Sequence, residues 1–500
     1  MKTNQFPLKN PEPISMSEVS NLELNRRTFL KQSAVMAAGC AFCLKATPAF
    51  SAFADARPSG LISPGCRKSK VRVAKVYLGR PQAHWPTPKM DVKEERQRYE
   101  AAFAGMPKQF ADVDFVVNEL ITQKDQIGKI KEALKDVDGI LAIHLSMGVT
   151  ELLTEILASQ RPTVLFAAPY SGHEWTGFGG LRRQEVGARL ECMLTSDLSQ
   201  LAVAVRPFRA LHHLREAKIL NVTARALPGP YVKAVADKFG TQIKVVELQR
   251  MLDAYNAVPQ AAAEAETQRW IRNAQKVVEP SRDEVFRSCK LALAFEKVMD
   301  EEQATVLTVD CYGSMYRKLP AFPCVGHVRL NDMGLGGICE SDLECAMTHI
   351  LMQGLSGKPG FISDPTLDES VKGIILAHCL GSIKMDGPDG EACSYKLRTI
   401  MERQEGCVPQ VKMRRGQKVT QAKLLGTEQI LYFTGDIIET PDVDRGCRTQ
   451  ITVRVDGDLE KLWQNWSHGL HRVTCYGDLT QDFKRFCRFT GVKLVDEALA

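Results

Sequence analysis

Two acidic residues and a histidine have the side chains of a divalent-metal site. Glu340 lies at the start of a predicted helix, Asp364 precedes a proline, and His471 lies on a short β run near the C terminus. Carboxylate oxygens with a single imidazole favour manganese or magnesium over zinc, and we expect manganese, with magnesium as the alternative. A dication held in this way stabilises negative oxygens, and paired carboxyl groups can accept and donate a proton. These groups suit proton transfer next to an oxygen whose negative charge the cation stabilises.

Each of these three residues also has a purely structural interpretation. Glu340 could cap or complement the dipole of the helix predicted over residues 341–355. Asp364 could form a turn before its proline, and a single histidine such as His471 is usually structural. Taken one at a time, the three positions do not decide between these interpretations.

Two further side chains are candidates for contact with a sugar. His378 lies on an apolar run fourteen residues after Asp364, where it could line a pocket or belong to the core. Trp175 follows the end of a predicted parallel strand, which is the ligand side of such sheets. A tryptophan there could stack on a sugar or pack between domains.

Several common enzyme classes lack their motifs in this chain. There is no G-x-G-x-x-G after the first strand, no Walker loop and no G-x-S-x-G, which argues against dehydrogenases, kinases and the common serine hydrolases. Residues 1–54 contribute +3 of the formal charge of +6, so the rest of the chain is near neutral. A nucleic-acid partner is therefore not expected.

Three segments taken together resemble the L-fucose and L-arabinose isomerases, and most closely the fucose isomerase branch. The first is a C-E-x-D segment, here Cys339-Glu340-Ser341-Asp342, and the second is a G-x-P loop, here Gly357-Lys358-Pro359, followed by Asp364. The third is an N-W pair and an H-x-V-x-x-x-G run, matched by Asn465-Trp466 and by His471-Arg472-Val473 leading to Gly477. The resemblance spans most of residues 70–500.

This resemblance implies a set of roles. Glu340, Asp364 and His471 would bind the metal, with the two carboxylates also catalytic, and His378 and Trp466 would contact a free sugar of the L-fucose, D-arabinose or L-arabinose type. Trp175 is a further candidate for this contact because of its place after a predicted strand. It also implies a homo-oligomer whose pockets are completed by neighbouring subunits. Leu470 and Arg472 depart from the family pattern, which has Asn and Gly there, and these departures bear on the sugar more than on the metal.

A second class of function fits the same residues. The chain could be an exported carbohydrate-binding protein that has the fold without turnover. The retention of two acids and a histidine argues against this alternative, because a binding protein has no need of converging carboxylates.

The alternation of β runs and helical patterns predicts an α/β protein with two doubly wound parallel-sheet domains and a mainly β C-terminal domain. We place the first α/β domain at residues 71–172 and the second, carrying Glu340, at 173–355. The β-rich domain, carrying Asp364 and His471, covers 356–500. The glycine pair before Glu340, Gly336-Gly337, would let the backbone approach a neighbouring element closely.

The N-terminal segment predicts export. Arg26-Arg27-Thr28-Phe29-Leu30-Lys31 has the pattern of a twin-arginine signal, with a signal peptide over residues 1–54 and a linker over 55–70. We therefore expect the twin-arginine export machinery as a partner and a periplasmic or other extracytoplasmic location. The alternatives are an ordinary amphipathic helix and lipid attachment at Cys40. No later apolar run is long enough to span a bilayer.

The cysteines and one histidine pair suggest structural roles. Thirteen of the fifteen cysteines follow the predicted signal, scattered singly, and Cys311, Cys324 and Cys379 lie in apolar runs where a thiol behaves as a small hydrophobe. No C-x-x-C occurs in that part, which argues against a structural zinc site. The pair His212-His213 has the pattern of a helix surface.

Overall fold

The computed structural model describes residues 69–499. The predicted signal peptide and nearly all of the predicted linker lie outside these residues, so both stay predictions. None of the described helices is long and apolar enough to cross a membrane.

The first α/β unit is built on a five-stranded parallel sheet with strand order β2-β1-β3-β4-β5. Its strands are β1 (Val71–Leu78), β2 (Val113–Ile121), β3 (Gly139–His144), β4 (Thr163–Ala167) and β5 (Leu190–Leu194). Its helices are α1 (Val92–Ala104), α2 (Asp125–Leu134), α3 (Thr150–Leu157), α4 (Trp175–Arg182), α5 (Gln200–Ala204) and α6 (Arg206–Glu216). The strands β3 and β4 are buried throughout, as expected for central strands covered on both faces. The fifth strand lies beyond residue 172, where we had placed the domain boundary.

The second α/β unit has a four-stranded parallel sheet with strand order β10-β9-β6-β7. Its strands are β6 (Lys218–Val222), β7 (Gln242–Val246), β9 (Val306–Val309) and β10 (Gly336–Cys339), while the short β8 (Lys276–Val277) pairs elsewhere. Its helices are α7 (Gly229–Phe239), α8 (Leu248–Asn256), α9 (Gln260–Asn273), α10 (Arg282–Glu302), α11 (Cys324–Asp332) and α12 (Leu343–Ser356). Both parallel sheets confirm the α/β character predicted from the alternating pattern.

The C-terminal part is a closed antiparallel barrel. Its strands are β11 (Phe361–Asp368), β12 (Gly373–His378), β15 (Lys418–Leu425), β16 (Gln429–Glu439), β17 (Thr449–Val455) and β18 (Arg472–Tyr476). They follow the order β15-β18-β11-β12-β17-β16, and pairing of β16 with β15 closes the ring. Strand β19 (Lys493–Asp496) pairs in parallel with β16 on the outside of this ring. Strands β13 (Tyr395–Arg398) and β14 (Val408–Val411) form a small separate sheet with β8. The helices of this part are α13 (Leu459–Asn465) and α14 (Thr480–Thr490). The predicted mainly β domain is thus a barrel.

Helix α12 lies between helix α6 of the first α/β unit and the barrel. All its side chains from Leu343 to Leu355 are buried except that of Glu344. The same apolar cluster contains Ala210 of α6 and Val473 of β18. Because the barrel covers the side that faces away from α6, the helix is buried all round rather than on a single face.

The expectation that His212 and His213 form a surface pair is wrong. Both side chains are buried on α6, with 1% and 4% of their surface exposed. His212 Nδ1 lies 2.9 Å from Asp138 Oδ2, and Asp138 directly precedes β3. The pattern was misleading because the partner that satisfies His212 is distant in sequence.

The twelve cysteines in the described part of the chain are free thiols. Cys311, Cys324 and Cys379 are buried, as expected for small apolar residues. The expectation that they lie inside strands is wrong, however: Cys324 begins α11, and Cys311 and Cys379 lie just after β9 and β12.

Candidate functional site

Glu340 lies where the chain turns from β10 into α12. Glu340 and Ser341 both have left-handed backbone conformations, with φ of 60° and 56°, which are uncommon for residues that carry a Cβ atom. Ser341 Oγ donates a hydrogen bond of 2.6 Å to Asn221 Oδ1 on β6. This turn holds Glu340 at the carboxyl edge of the second sheet, and backbone conformations of this kind cluster at functional sites.

Asp342 caps helix α12. Its backbone is extended, and its carboxylate accepts a hydrogen bond of 2.8 Å from Cys345 N, which is the geometry of an N-cap residue. The capping role that the sequence left open for Glu340 therefore belongs to Asp342. Glu340 therefore does not cap the helix.

Asp364 and His378 lie on neighbouring strands of the barrel. Asp364 is inside β11, where it pairs with Ala377 of β12, and His378 is the next residue and the last of that strand. Asp364 is therefore in a regular strand rather than in a turn. On the other side of β11, Ser363 pairs with Arg472 of β18, so the start of β18 lies next to Asp364.

The ring of His471, directly before β18, brings the acidic residues together. His471 Nε2 lies 3.4 Å from Asp364 Oδ1 and 3.9 Å from Glu340 Oε2, and His471 Nδ1 lies 3.1 Å from Asp342 Oδ2. Asp364 and Glu340 thus both approach Nε2 of His471, although Glu340 follows a strand of the second sheet and the other two residues belong to the barrel. Asp342 was not assigned a role from the sequence; its place in the C-E-x-D segment was the signal that could have found it.

The hydrogen bond between Asp342 and His471 shifts the pKa values of both groups. Burial alone would raise the pKa of Asp342, but the hydrogen bond to His471 and the charge of Lys423 lower it to about 2. Burial alone would lower the pKa of His471, but the hydrogen bond to Asp342 and the nearby carboxylates raise it. Asp342 therefore fixes the orientation of the imidazole, as carboxylates beside metal-binding histidines do.

The pKa values of the other two acids, Glu340 and Asp364, are raised. Burial raises the pKa of Glu340, and the charge of Asp364 raises it further, against the opposing effect of His471. Burial also raises the pKa of Asp364. Placing two carboxylates here costs free energy that a nearby cation would offset.

His378 belongs to the same group. Its ring is 2% exposed, and burial lowers its pKa to about 3, so that the imidazole is neutral. Its Nε2 lies 3.7 Å from Glu340 Oε1, and donor atoms of Glu340, His378 and His471 all lie within 4.8 Å of one another. Its position suits a metal ligand as well as the sugar contact that the resemblance implied.

The donor set fits a divalent cation. It offers carboxylate oxygens from Glu340 and Asp364 and ring nitrogens from His378 and His471. Asp364 Oδ1 is buried and has no hydrogen-bond partner among the described residues, whereas buried polar atoms are normally satisfied. A cation held by these residues would satisfy that oxygen and reduce the repulsion between the acids.

A cleft opens beside Glu340. Its volume is about 470 Å³, and it lies at the carboxyl ends of β6 and β9, where ligands bind in parallel sheets. Among the described residues that line it, Arg225 is the one with a positive charge, and its Nε lies 3.1 Å from Asp310 Oδ2. Asp342 and Glu344 add further acidic groups. The cleft is the size of a small-molecule site and is acidic overall.

The two tryptophans lie elsewhere. Trp175 begins α4 and is 54% exposed, in a separate pocket of about 340 Å³ at the carboxyl end of the first sheet. Trp466 packs against Arg472, whose guanidinium lies 4.3 Å from its ring centre, and its Nε1 donates to Gly469 O. The structure places His378 beside Glu340 and His471, whereas neither tryptophan is in that group of donors. Among the described residues, Glu340 and Asp342 line the cleft, but Asp364, His378 and His471 do not.

Comparison with known proteins points to an isomerase. No protein-family model matches the chain. The chain is similar to the sulfoquinovose isomerase of Alkalicoccus urumqiensis, with 23% identity over 310 residues, which cover 58% of this chain and 67% of that protein. This distant similarity supports a sugar isomerase activity in general, and it is compatible with the resemblance to the fucose isomerases.

Proposed function

We propose that the chain is a metal-dependent isomerase that interconverts the aldose and ketose forms of a free sugar. The observation that carries the proposal is the approach of Glu340 and Asp364 to the His471 ring, together with the open cleft that Glu340 lines. The similarity to a sugar isomerase supports it independently of this geometry.

The chemistry assigned to the site is proton transfer between C2 and C1 through an ene-diol. A dication held by Glu340, Asp364, His471 and His378 would stabilise the negative oxygens of that intermediate. The Glu340 carboxylate would accept the proton from C2 and return it to C1, while the Asp364 carboxyl would exchange a proton with the sugar oxygens. Carboxyl groups whose pKa values are raised by burial are suited to these roles near neutral pH.

Two neighbours would support this chemistry without carrying the proton. Asp342 would hold the His471 ring through its Nδ1. His378 would stay neutral because it is buried, so that its nitrogen keeps a lone pair to donate.

For the metal we propose manganese, with magnesium as the alternative. Hard carboxylate oxygens dominate the donor set, and the imidazoles extend the choice from magnesium to manganese. Zinc would compete for the imidazoles, so the choice needs a direct measurement.

For the substrate we propose an uncharged aldose of the L-fucose, D-arabinose or L-arabinose type. The cleft is acidic, and its one described cationic side chain, Arg225, is paired with Asp310. An anionic sugar would have to compete with Asp310 for that guanidinium. The name of the similar protein nevertheless makes the sulfonated sugar sulfoquinovose the second candidate.

We further propose that the protein is exported by the twin-arginine route to the periplasm and acts as a homo-oligomer. Export of a folded protein would let the site load its metal before it meets the metals outside the cytoplasm. The exposed Trp175, outside the cleft of its own chain, would be free to reach the pocket of a neighbouring subunit.

The experiment is hydrogen exchange at C2 of the sugar. The protein, stripped of metal by a chelator, is incubated in D₂O with L-fucose, D-arabinose, L-arabinose or sulfoquinovose, with Mn²⁺, Mg²⁺, Zn²⁺ or no metal. We expect ketose formation and C2 exchange, followed by NMR, with manganese and an uncharged sugar. Sugar binding without exchange under every condition would favour the carbohydrate-binding alternative, and neither binding nor exchange would overturn the proposal.

A further inference from the structure

Two thiols and a carboxylate meet outside the proposed isomerase site. Donor atoms of Cys379, Cys447 and Glu402 all lie within 4.8 Å of one another. Cys447 Sγ donates a hydrogen bond of 3.0 Å to Glu402 Oε1, and the Tyr312 hydroxyl donates one of 3.2 Å to Glu402 Oε2. No step of the isomerisation uses this thiol cluster.

The barrel holds the two cysteines in place. Cys379 directly follows β12, and Cys447 lies two residues before β17. These strands are antiparallel neighbours in which His378 pairs with Thr449, so both thiols stand at the same end of the strand pair. The cysteines are 68 residues apart in sequence, so the absence of a C-x-x-C motif did not exclude a site built from them.

The environment of the thiol cluster has one buried and one open side. Cys379 is 6% exposed, Cys447 is half-buried, and Glu402 is exposed. The Tyr312 hydroxyl donates a hydrogen bond to the second oxygen of Glu402 and so orients the carboxylate. Carboxylates that bind metals are commonly held by a neighbouring hydrogen-bond donor in the same way. The solvent side leaves room for water as a further ligand.

We propose that Cys379, Cys447 and Glu402 form a second cation site, which takes a thiophilic dication such as Zn²⁺ or Cd²⁺. Zn²⁺ lies about 2.3 Å from thiolate sulfur and about 2.0 to 2.2 Å from a carboxylate oxygen, distances that three donors this close together can meet with small side-chain movements. Sulfur ligands make the site soft, in contrast to the oxygen-rich isomerase site, so the two sites select different metals.

Charge balance also permits the ion. Binding of a dication to two thiols releases two protons, so it leaves the net charge of the cluster unchanged. The new site therefore adds no repulsion to Glu340 and Asp364, on which Glu402 already acts.

The test uses the reduced, metal-free full-length protein and cadmium, whose bond to thiolate gives an ultraviolet charge-transfer band. We expect the band to saturate at one thiolate-bound cadmium per chain. Cys447→Ser should lose the intensity of one thiolate and weaken cadmium binding at least ~10-fold, and Glu402→Gln should weaken binding while keeping the intensity. Cys393→Ser, which changes a half-buried thiol outside the cluster, should behave as the wild type.

A second measurement, which needs no variant, distinguishes cadmium bound at the thiol cluster from cadmium bound at Cys345. Cys345 lies with Asp342 and His471 in the isomerase site. Cadmium should protect Cys379 and Cys447 together from alkylation, as mapped by mass spectrometry. Protection of other cysteines, absence of the band, or an existing Cys379–Cys447 disulfide in the purified protein would each overturn the proposal. Isomerase activity is not part of either readout, so the proposed function and this site can fail separately.

Discussion

Asp342 has two roles that one substitution can separate. Its carboxylate caps α12 through Cys345 N and also hydrogen-bonds His471 Nδ1. Asparagine is as good a cap as aspartate but carries no charge. We therefore expect Asp342→Asn to leave the free energy of unfolding nearly unchanged and to weaken manganese binding by ~10- to 100-fold, the usual effect of losing a carboxylate behind a metal-binding histidine.

Asp342→Ala is the matched variant for this prediction. It removes the cap as well as the charge, so it should lose about 1 kcal/mol of stability in addition to the same loss of affinity. Urea unfolding and calorimetric titration with manganese measure the two effects. Equal manganese affinity in the wild type and in Asp342→Asn would show that Asp342 is only a cap.

Glu340→Gln tests the assignment of the base. The amide keeps the shape of the side chain but cannot accept the proton from C2, so the rate of isomerisation should fall by at least ~100-fold. Excess manganese should not restore it, because the missing group is the base. His471→Ala removes a ligand but no proton acceptor, so its activity should recover partly as manganese is raised. Wild-type C2 exchange in both variants would rule out the assignment.

At the scale of single residues, the sequence predicted the acids and the histidine but not their neighbours. Glu340, Asp364 and His471 were identified as a set through the resemblance to the fucose isomerases, and the fold brings Glu340 and Asp364 close to the His471 ring, while the roles of all three stay predictions. Asp342 and the thiol cluster were missed because their partners come from distant strands, and a pairwise contact of this kind leaves no local pattern. The position of Trp466 against Arg472 likewise depends on the packing of α13.

Among the elements, β10 depends on its glycines. A Cβ atom at Gly337 would overlap the backbone of His327 in α11, and one at Gly336 would contact the side chain of Val306 on β9. The expected close approach at this glycine pair is thus confirmed. Gly337→Ala should cost about 1 to 3 kcal/mol of stability through overpacking, and it should lower isomerase activity because β10 leads directly into Glu340.

Gly128→Ala is the control for that prediction. Gly128 lies on the exposed side of α2, and nothing would contact a Cβ atom there. Alanine should stabilise the helix by about 0.5 to 1 kcal/mol. Urea unfolding of both variants checks the pair, and a neutral Gly337→Ala would mean that α11 can move away from β10.

The elements that the sequence predicted best are the long apolar runs. The apolar runs at 71–78 and 139–145 are typical of strands and form β1 (Val71–Leu78) and β3 (Gly139–His144), and the helical pattern at 481–490 forms α14 (Thr480–Thr490). Strand β5 was missed because its five residues include a glutamate and a cysteine, and β10 because glycine is unfavourable in strands. Closure of the barrel between β15 and β16 depends on register and twist, which single runs do not encode.

At the scale of the whole molecule, His212 and Asp138 tie α6 to the first sheet, and this contact should make stability depend on pH. Burial alone would lower the pKa of His212, but the hydrogen bonds to Asp138 and Glu216 raise it to about 9 from 6.5. Because the folded pKa is above the unfolded one, the stabilisation is complete below pH 6.5 and is lost as the pH rises through about 9. The shift corresponds to about 3 kcal/mol.

The measurement is the difference in unfolding free energy between the wild type and His212→Gln. This difference should shrink as the pH rises from about 6.5 to above about 9. His213→Gln is the matched control on the same helix, because burial lowers the pKa of His213 to about 3. Its effect should be constant across that window and should diminish only in acid. A His212→Gln deficit that does not change with pH would mean that the histidine is neutral in the folded protein.

The proposed metal should also link the two halves of the described chain. Glu340 follows a strand of the second parallel sheet, whereas Asp364 and His471 belong to the barrel, so a bound ion joins elements that unfolding would separate. Because the unfolded chain does not hold these ligands together, manganese should raise the free energy of unfolding, by ~2.7 kcal/mol at a hundred times its dissociation constant. Thermal unfolding with increasing manganese measures this. Cys447→Ser should respond as the wild type does, because that thiol lies outside the oxygen-rich site, whereas His471→Ala should need far more manganese for the same rise in Tm. An equal response in His471→Ala and the wild type would mean that the ion binds elsewhere and that the barrel and the second sheet meet without it.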